Sequence, residues 1–410
     1  MTNSPHSFEY DLIVLGCGPA GQRGAVQAAK LRKKVAIIDN REVVGGVCVN
    51  TGTIPSKSFK EAVMYLSGFR QRNIYGAGYS VKSDIEMCDL TFRCDYIMQQ
   101  EIGIISSQLK RNHVDLKFGE ASFLDPHTVQ IESAEQETYT ITSDKFLIAT
   151  GAYPYRPEGL DFSDRAIVDS DDVLTLEFLP RVITVVGGGV IGVEYASMFA
   201  ALGSDVTIID TRDTLLTFLD REIVENLKYQ LRSHGVTLRL GEEVQSCAPR
   251  ESDNKIVTKL KSGKVLIADC ALISAGRVAA TDKLNLKAIG LQAGKRGRLE
   301  VNEHLQTKTP NIYAAGDVIG FPGLASTSSD QGRLAICHAF NKKGKSKEVP
   351  LPYGIYSIPE LSIVGPTEEE LTTKGIPYET GVAYYKETAR GQLIGDISGY
   401  AQVTLPPRHT

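Results

Sequence analysis

Surplus positive charge is the first thing this sequence lacks. Its 45 Lys and Arg face 49 Asp and Glu, a net charge of -4. No broad basic surface is therefore available, which argues against nucleic acid or an anionic membrane as a partner. No apolar run approaches the ~18 residues that a membrane span requires, and residues 1–6 carry no basic stretch of the kind that opens a secretory signal. The seven cysteines, at 17, 48, 88, 94, 247, 270 and 337, are odd in number and contain no CxxC pair. They read as reduced thiols of a cytosolic enzyme. The seven histidines have no HxxxH spacing, so no metal site is expected. With 42% hydrophobic and 23% charged residues, the 410-residue chain is globular and too long for one core, which implies two or three domains.

What the sequence does contain is a repeat. The β-branched run 11–15 leads into Gly16-Cys17-Gly18-Pro19-Ala20-Gly21, a helical stretch at 19–32, and a second apolar run closed by Asp39. The run 182–186 leads likewise into Gly187-Gly188-Gly189-Val190-Ile191-Gly192, a helical stretch, and a run closed by Asp210. From Gly16 to Asp39 is the same interval as from Gly187 to Asp210. This is the spacing of strand, Gly-rich turn, crossover helix and second strand in a dinucleotide-binding unit. The first glycine makes the turn, the second admits a pyrophosphate to the helix N-terminus, and the third packs helix on sheet. The acid accepts from an adenosine ribose. One such match is weak in a chain with 38 glycines. Two, each with an acid at the same distance, imply FAD together with a nicotinamide nucleotide.

Between and after the repeats, the pattern predicts a helix from the 55–57 turn toward Phe69, a long amphipathic helix over 86–112, and alternating strands over 114–143. A buried strand follows at 146–148, ending in Ala149-Thr150-Gly151. Near the C-terminus, strand-like segments are expected at Tyr384-Tyr385, at 391–395 and at 400–405. The basic run Lys342-Lys343-Gly344-Lys345-Ser346-Lys347 reads as a solvated hinge.

The segment Gly45-Gly46-Val47-Cys48-Val49-Asn50-Thr51-Gly52-Thr53-Ile54-Pro55-Ser56-Lys57 resembles the redox-active stretch of the flavoprotein disulfide reductases. Ala149-Thr150-Gly151, residues 274–277, and Ile312-Tyr313-Ala314-Ala315-Gly316-Asp317 resemble further motifs of that family, in the family's order. The resemblance runs from about residue 9 to about residue 398. It implies an α/β fold with two Rossmann-like dinucleotide-binding domains, for FAD and NAD(P), plus a truncated α+β interface domain. The FAD domain would take 1–151 and 276–345, the NAD(P) domain 152–275, and an incomplete dimerisation domain 346–410. Family members form homodimers or larger homo-oligomers. Here, with about 65 residues after the hinge and an end in Pro406-Pro407-Arg408-His409-Thr410, impaired dimerisation is expected.

In the family, two cysteines five residues apart form a disulfide against the flavin. Thr53 stands at the second of these positions and cannot form one. One branch of the family resembles this pattern, the soluble pyridine nucleotide transhydrogenases, which implies hydride transfer between NADPH and NAD⁺ through flavin N5. The resemblance places Lys57 near the flavin and Glu194 as its partner, and leaves Cys48 as a packed thiol in the cofactor site. Thr150, Gly151, Asp317, Ala325 and Gly276 join Gly16, Gly18, Gly21 and Asp39, and Gly187, Gly189, Gly192 and Asp210, as contacts to the nucleotides. Arg212 is expected to pair with the 2′-phosphate of NADP(H), and Asp210 with the 2′-hydroxyl of NAD(H). Two other readings stand beside this one: an NAD(P)H dehydrogenase (diaphorase) acting on quinones or dyes, and an impaired FAD-binding protein from a truncated gene.

Overall fold

Short β-branched runs without polar alternation suit strands covered on both faces, and each fingerprint begins with one. The computed structural model describes residues 8–162, 164–344, 350–396 and 398–406. Residues 1–6, the Lys345-Ser346-Lys347 end of the basic run and residues 407–410 lie outside that description. The chain divides into two compact units. One comprises residues 1–56, 94–154 and 277–348; the other comprises 57–93, 155–276 and 349–410.

In the first unit, the strands Asp115–Phe118, Val35–Asp39, Tyr10–Leu15, Thr138–Ile148 and Ile312–Ala314 lie in that order, all parallel. Thr138–Ile148 serves two partners along its length. Residues 138–142 pair antiparallel with Thr128–Glu132, and residues 143–148 pair with Tyr10–Leu15. The helix Pro19–Lys30 lies close to Ala325–Ala339, and glycine makes that approach possible: a Cβ on Gly332 would sit 2.0 Å from the Ala20 carbonyl oxygen. One apolar cluster on this sheet gathers Leu12, Val14, Ala25, Ile37, Leu147 and Ile336, and takes in Ile105 and Leu109 of the long helix Met87–Arg111. A second cluster holds Ile13, Ile38, Phe123, Phe146 and Ile312.

In the second unit, Thr237–Leu240, Asp205–Asp210, Val182–Val186, Cys270–Ile273 and Ile167–Asp169 form a parallel sheet in that order. An antiparallel layer of Val244–Arg250, Lys255–Leu260 and Val265–Ala268 belongs to the same unit. Phe59, fully buried, meets Tyr195 and Phe199 of the helix Val190–Ala201 at ring-centroid distances of 6.2 and 6.1 Å. That contact fixes the part of the helix Thr53–Leu66 that follows Ser56 against the second fingerprint helix.

Four sequence expectations shift. The first fingerprint helix stops at Lys30, because Arg32 turns into the left-handed region at φ 58°. The helix expected from the 55–57 turn toward Phe69 begins at Thr53 and ends at Leu66, and Gly68 at φ 63° leads into a 3₁₀ turn at Phe69–Gln71. The expected strand at 391–395 is instead the helix Ala389–Ile394. Thr388 caps it by accepting the Gly391 N–H at 3.0 Å, and Gly395 closes it at φ 72°. Two apolar residues, Leu393 and Ile394, are too few for periodicity to separate strand from helix, and the cap decides. The neighbouring strand Glu379–Tyr384 stops before Tyr385, which starts a 3₁₀ turn, and pairs antiparallel with Tyr400–Leu405.

Candidate functional site: two phosphate turns and a lysine–glutamate pair

The two fingerprints repeat each other atom for atom in their backbone logic. Gly16 and Gly187 have φ of 100° and 113°, a region that strains any other residue. A Cβ there would also meet the carbonyl oxygen of the adjoining strand's end, Ala149 at 2.3 Å or Ser274 at 2.4 Å. Gly21 and Gly192 let each helix sit on its own turn; a Cβ would lie 1.9 Å from the Gly16 oxygen and 2.0 Å from the Gly187 oxygen. Gly18 and Gly189 differ from both sets. They N-cap the helices Pro19–Lys30 and Val190–Ala201 in extended backbone, and a Cβ on either would meet nothing of the chain within 4 Å. Folding does not require glycine at these two positions. The space in front of each, at a helix N-terminus rich in free N–H groups, suits a pyrophosphate.

The acids also match. Asp39 accepts the Cys17 N–H at 2.6 Å and the Arg41 N–H at 3.0 Å. Asp210 accepts the Gly188 N–H at 2.6 Å and the Arg212 N–H at 2.8 Å. Their side-chain surroundings then diverge. Burial pushes the Asp39 carboxyl up, with the two backbone N–H groups opposing. Burial acts the same way on Asp210, but the Arg212 guanidinium and backbone outweigh it and hold that carboxyl below its usual range.

Within the first unit, three threonine hydroxyls are buried without a hydrogen-bond partner among the described residues: Thr51, Thr150 and Thr327. An unmet buried hydroxyl costs about 1–3 kcal/mol, so a polar ligand is the natural complement. They come from the cysteine segment, the Thr150-Gly151 turn and the first turn of the helix that Ala325 opens. Gly151, at φ 72°, again faces open space. Asp317 starts a 3₁₀ turn after Ile312–Ala314, and its carboxyl is pushed up by burial while Arg277 pulls it down. Glycines open toward a ligand, orphaned hydroxyls and a carboxylate at a strand end fit the phosphates, ring edges and ribityl hydroxyls of FAD. Thr51 and Thr327 were not singled out by the sequence; Thr51's place inside the cysteine segment was the available signal. Cys48, on the short helix Gly46–Asn50, is half-buried and in no disulfide, and Thr53 is exposed.

The second unit carries Lys57 and Glu194. Glu194 is only 4% exposed, and its two oxygens are divided. Oε2 accepts from Lys57 Nζ at 2.8 Å, and Oε1 accepts the Tyr356 N–H at 2.8 Å. Lys57 Nζ also lies 4.6 Å from the centroid of the Tyr356 ring. Gly276, at φ 110°, closes the loop after Cys270–Ile273 and accepts from Tyr155 N at 2.9 Å.

Two Rossmann-type folds, one with a built lysine–glutamate pair, define a chain made for two dinucleotides. The family described as pyridine nucleotide-disulphide oxidoreductase matches residues 10–332, and the chain belongs to it. The chain is 51% identical over 398 residues to a soluble pyridine nucleotide transhydrogenase of Mycobacterium tuberculosis (strain ATCC 25177 / H37Ra), covering 97% of this chain and 85% of that protein. It is 42% identical to the protein of the same name from Colwellia psychrerythraea, with the same coverage. Among solved structures, the HOCl-induced flavoprotein disulfide reductase RclA from Escherichia coli is similar at a TM-score of 0.86 and 27% identity, over 97% of this chain and 87% of that one. Members of this family use FAD and NAD(P)H. Among the described residues, no helix is long and apolar enough to cross a membrane.

Proposed function

We propose that this chain is a FAD-dependent transhydrogenase passing hydride between NADPH and NAD⁺. The observation that carries the reading is the pair of matched phosphate turns in a chain whose second redox-cysteine position is Thr53. FAD is assigned to residues 1–151 and 276–345, the nicotinamide nucleotides to 152–275, and an interface role to 346–410. A homodimer or larger homo-oligomer is part of the proposal on the family resemblance, and a cytoplasmic place of action on seven cysteines of which none is in a disulfide.

Bound FAD would supply a two-electron acceptor able to return hydride to a second nicotinamide nucleotide. The chain's part is binding, orientation and charge. Gly18 and Gly189 admit the pyrophosphates to their helix N-termini, and Asp39 and Asp210 receive ribose hydroxyls. Arg212 turns from Asp210 to the 2′-phosphate when NADP(H) occupies the site. Lys57, held by Glu194, supplies a fixed positive charge that favours the reduced, more negative state of the cofactor. With no thiol at residue 53, hydride has a nicotinamide nucleotide as its exit rather than a dithiol.

Anaerobic stopped-flow tests the proposal. NADPH should bleach the flavin absorbance, and NAD⁺ added afterwards should restore it with no third acceptor. Bleaching that NAD⁺ leaves unreversed would overturn the reading in favour of a diaphorase.

A further inference from the structure

Tyr356 touches both members of the lysine–glutamate pair, by two different means. Its backbone N–H donates to Glu194 Oε1, and the face of its ring lies 4.6 Å from Lys57 Nζ. Lys57 is 27% exposed at its side chain, and its ammonium has the Glu194 carboxylate at 2.8 Å as well as this ring. We propose that Tyr356 is a positioning residue for the reaction: its ring holds the Lys57 ammonium in place on Glu194.

The surroundings of Tyr356 are built to keep that ring where it is. Ile358 N donates to Ser197 Oγ at 2.9 Å, and Ser197 Oγ donates to the Glu194 carbonyl at 2.7 Å. Residues 356–358 are thereby fastened to the helix Val190–Ala201 at two points, one through Glu194 itself. Lys60, one helical turn after Lys57, is 2% exposed, ion-paired with Glu360, and lies 5.6 Å from the same ring. Gly354 supplies the last element. It is not in the left-handed region, so no backbone strain calls for glycine there. A Cβ at 354 would instead lie 3.3–3.6 Å from Tyr356 Cε2, Cζ and the hydroxyl oxygen. A side chain there would press against the ring edge. A cation over an aromatic face is attracted by the ring quadrupole, and an aromatic left 43% exposed beside two lysines is placed for that contact more than for burial.

This inference rests on the proposed reading only for the value of a fixed Lys57, and its test does not depend on turnover. Tyr356→Leu keeps the backbone N–H and the apolar bulk but removes the quadrupole; Tyr356→Phe keeps the ring and loses only the hydroxyl. In FAD-loaded protein at fixed pH, acylation of Lys57 by acetic anhydride, followed by peptide mass spectrometry, should rise about threefold in Tyr356→Leu. It should return to the original rate in Tyr356→Phe. Lys255, paired with Asp269 elsewhere in the same unit, is the internal reference and should not change. The flavin midpoint potential should move to more negative values in the leucine variant and not in the phenylalanine variant. Gly354→Ala, whose Cβ would press on the ring from 3.3 Å and leave the Tyr356 side chain itself intact, should raise Lys57 labelling in the same direction, and it decides the matter if the leucine variant fails to fold. Labelling of Lys57 unchanged in both Tyr356→Leu and Gly354→Ala, or a phenylalanine variant that behaves as leucine does, would overturn the proposal. Loss of transhydrogenation with the labelling pattern as expected would count against the proposed reaction and leave the positioning role standing.

Discussion

The Arg212 guanidinium grips the carboxylate of Asp210 with two hydrogen bonds, Nε to Oδ1 at 2.9 Å and Nη2 to Oδ2 at 2.6 Å. The residue that would bind a 2′-phosphate is thus already engaged with the residue that would bind a 2′-hydroxyl. On the proposed function, this pairing would let one site serve both nucleotides, with Arg212 neutralising Asp210 for one and transferring its fork to a phosphate for the other. Arg212→Ala should therefore weaken NADPH by about tenfold or more, from the usual worth of a hydrogen bond to a charged group, and NADH by far less. Titration of each nucleotide against the flavin spectrum reads the two constants. Equal losses would remove Arg212 from phosphate recognition.

The equivalent acids should respond to pH in opposite directions. Asp39 has a raised folded value, so its contribution to stability is full below the ordinary carboxylate range and is lost as pH rises through that raised value. Asp210 has a lowered value; its contribution is present above the ordinary range and is lost as pH falls through the lowered one. At pH 7, with FAD stripped, Asp39→Asn should lower the melting temperature less than Asp210→Asn does. Asp210→Asn should lower stability by about 1 kcal/mol, because the Arg212 side chain is 44% exposed and solvent screens the pair. Matching responses of the two variants would contradict the difference in their surroundings.

The three glycines of each turn should separate cleanly by experiment. Gly18→Ala adds a methyl group that meets no chain atom within 4 Å, so the protein should fold with a near-unchanged melting temperature and bind FAD poorly. Gly21→Ala forces a Cβ to within 1.9 Å of a backbone oxygen and should cost about 3 kcal/mol or more, beyond ordinary overpacking. Gly189→Ala and Gly192→Ala should repeat the contrast for the nicotinamide nucleotide. Calorimetry and cofactor content together check it. A Gly18→Ala protein with full FAD would mean that the open space is not the pyrophosphate cradle.

Removing Lys57 should harm the protein twice. Lys57→Met leaves the buried Glu194 carboxylate without its cation, which destabilises the second unit, and it should slow flavin reduction by NADPH by about tenfold to a hundredfold. Adding Glu194→Gln should recover most of the stability and none of the rate. A double variant as unstable as the single would show that the two residues are not coupled.

Reductive titration addresses Thr53. Anaerobic titration should end at two electrons per FAD, with no thiolate–flavin charge-transfer band, and neither lipoamide nor glutathione disulfide should be turned over. Appreciable turnover of either disulfide would sink the transhydrogenase assignment.

Much of the fold was readable because its signals are local. The interval from glycine to acid fixed both Rossmann turns, and the long helix expected over 86–112 forms at Met87–Arg111. The helix at Ala389–Ile394, where a strand was expected over 391–395, is also a local effect, since its cap Thr388 adjoins it in sequence. The candidate site was legible only where a motif carries its own geometry. Nothing in the sequence near Tyr356 announces that its N–H reaches a carboxylate 162 positions away.

By itself, then, the sequence determined what each turn must look like, since a positive φ or a 1.9 Å approach leaves glycine as the only choice whatever lies elsewhere in the chain. It likewise excluded a disulfide at Cys48 and Thr53, because no fold supplies a missing sulfur. The tertiary structure alone decided how deeply the charged groups are buried. Asp39 and Asp210 occupy equivalent places and share the same backbone donors, yet one carboxyl is raised and the other lowered. A pattern of residue types specifies where a carboxylate stands. Its charge state depends on how a neighbouring cation is oriented and on how much water remains around it, and the burial is settled only when distant segments pack.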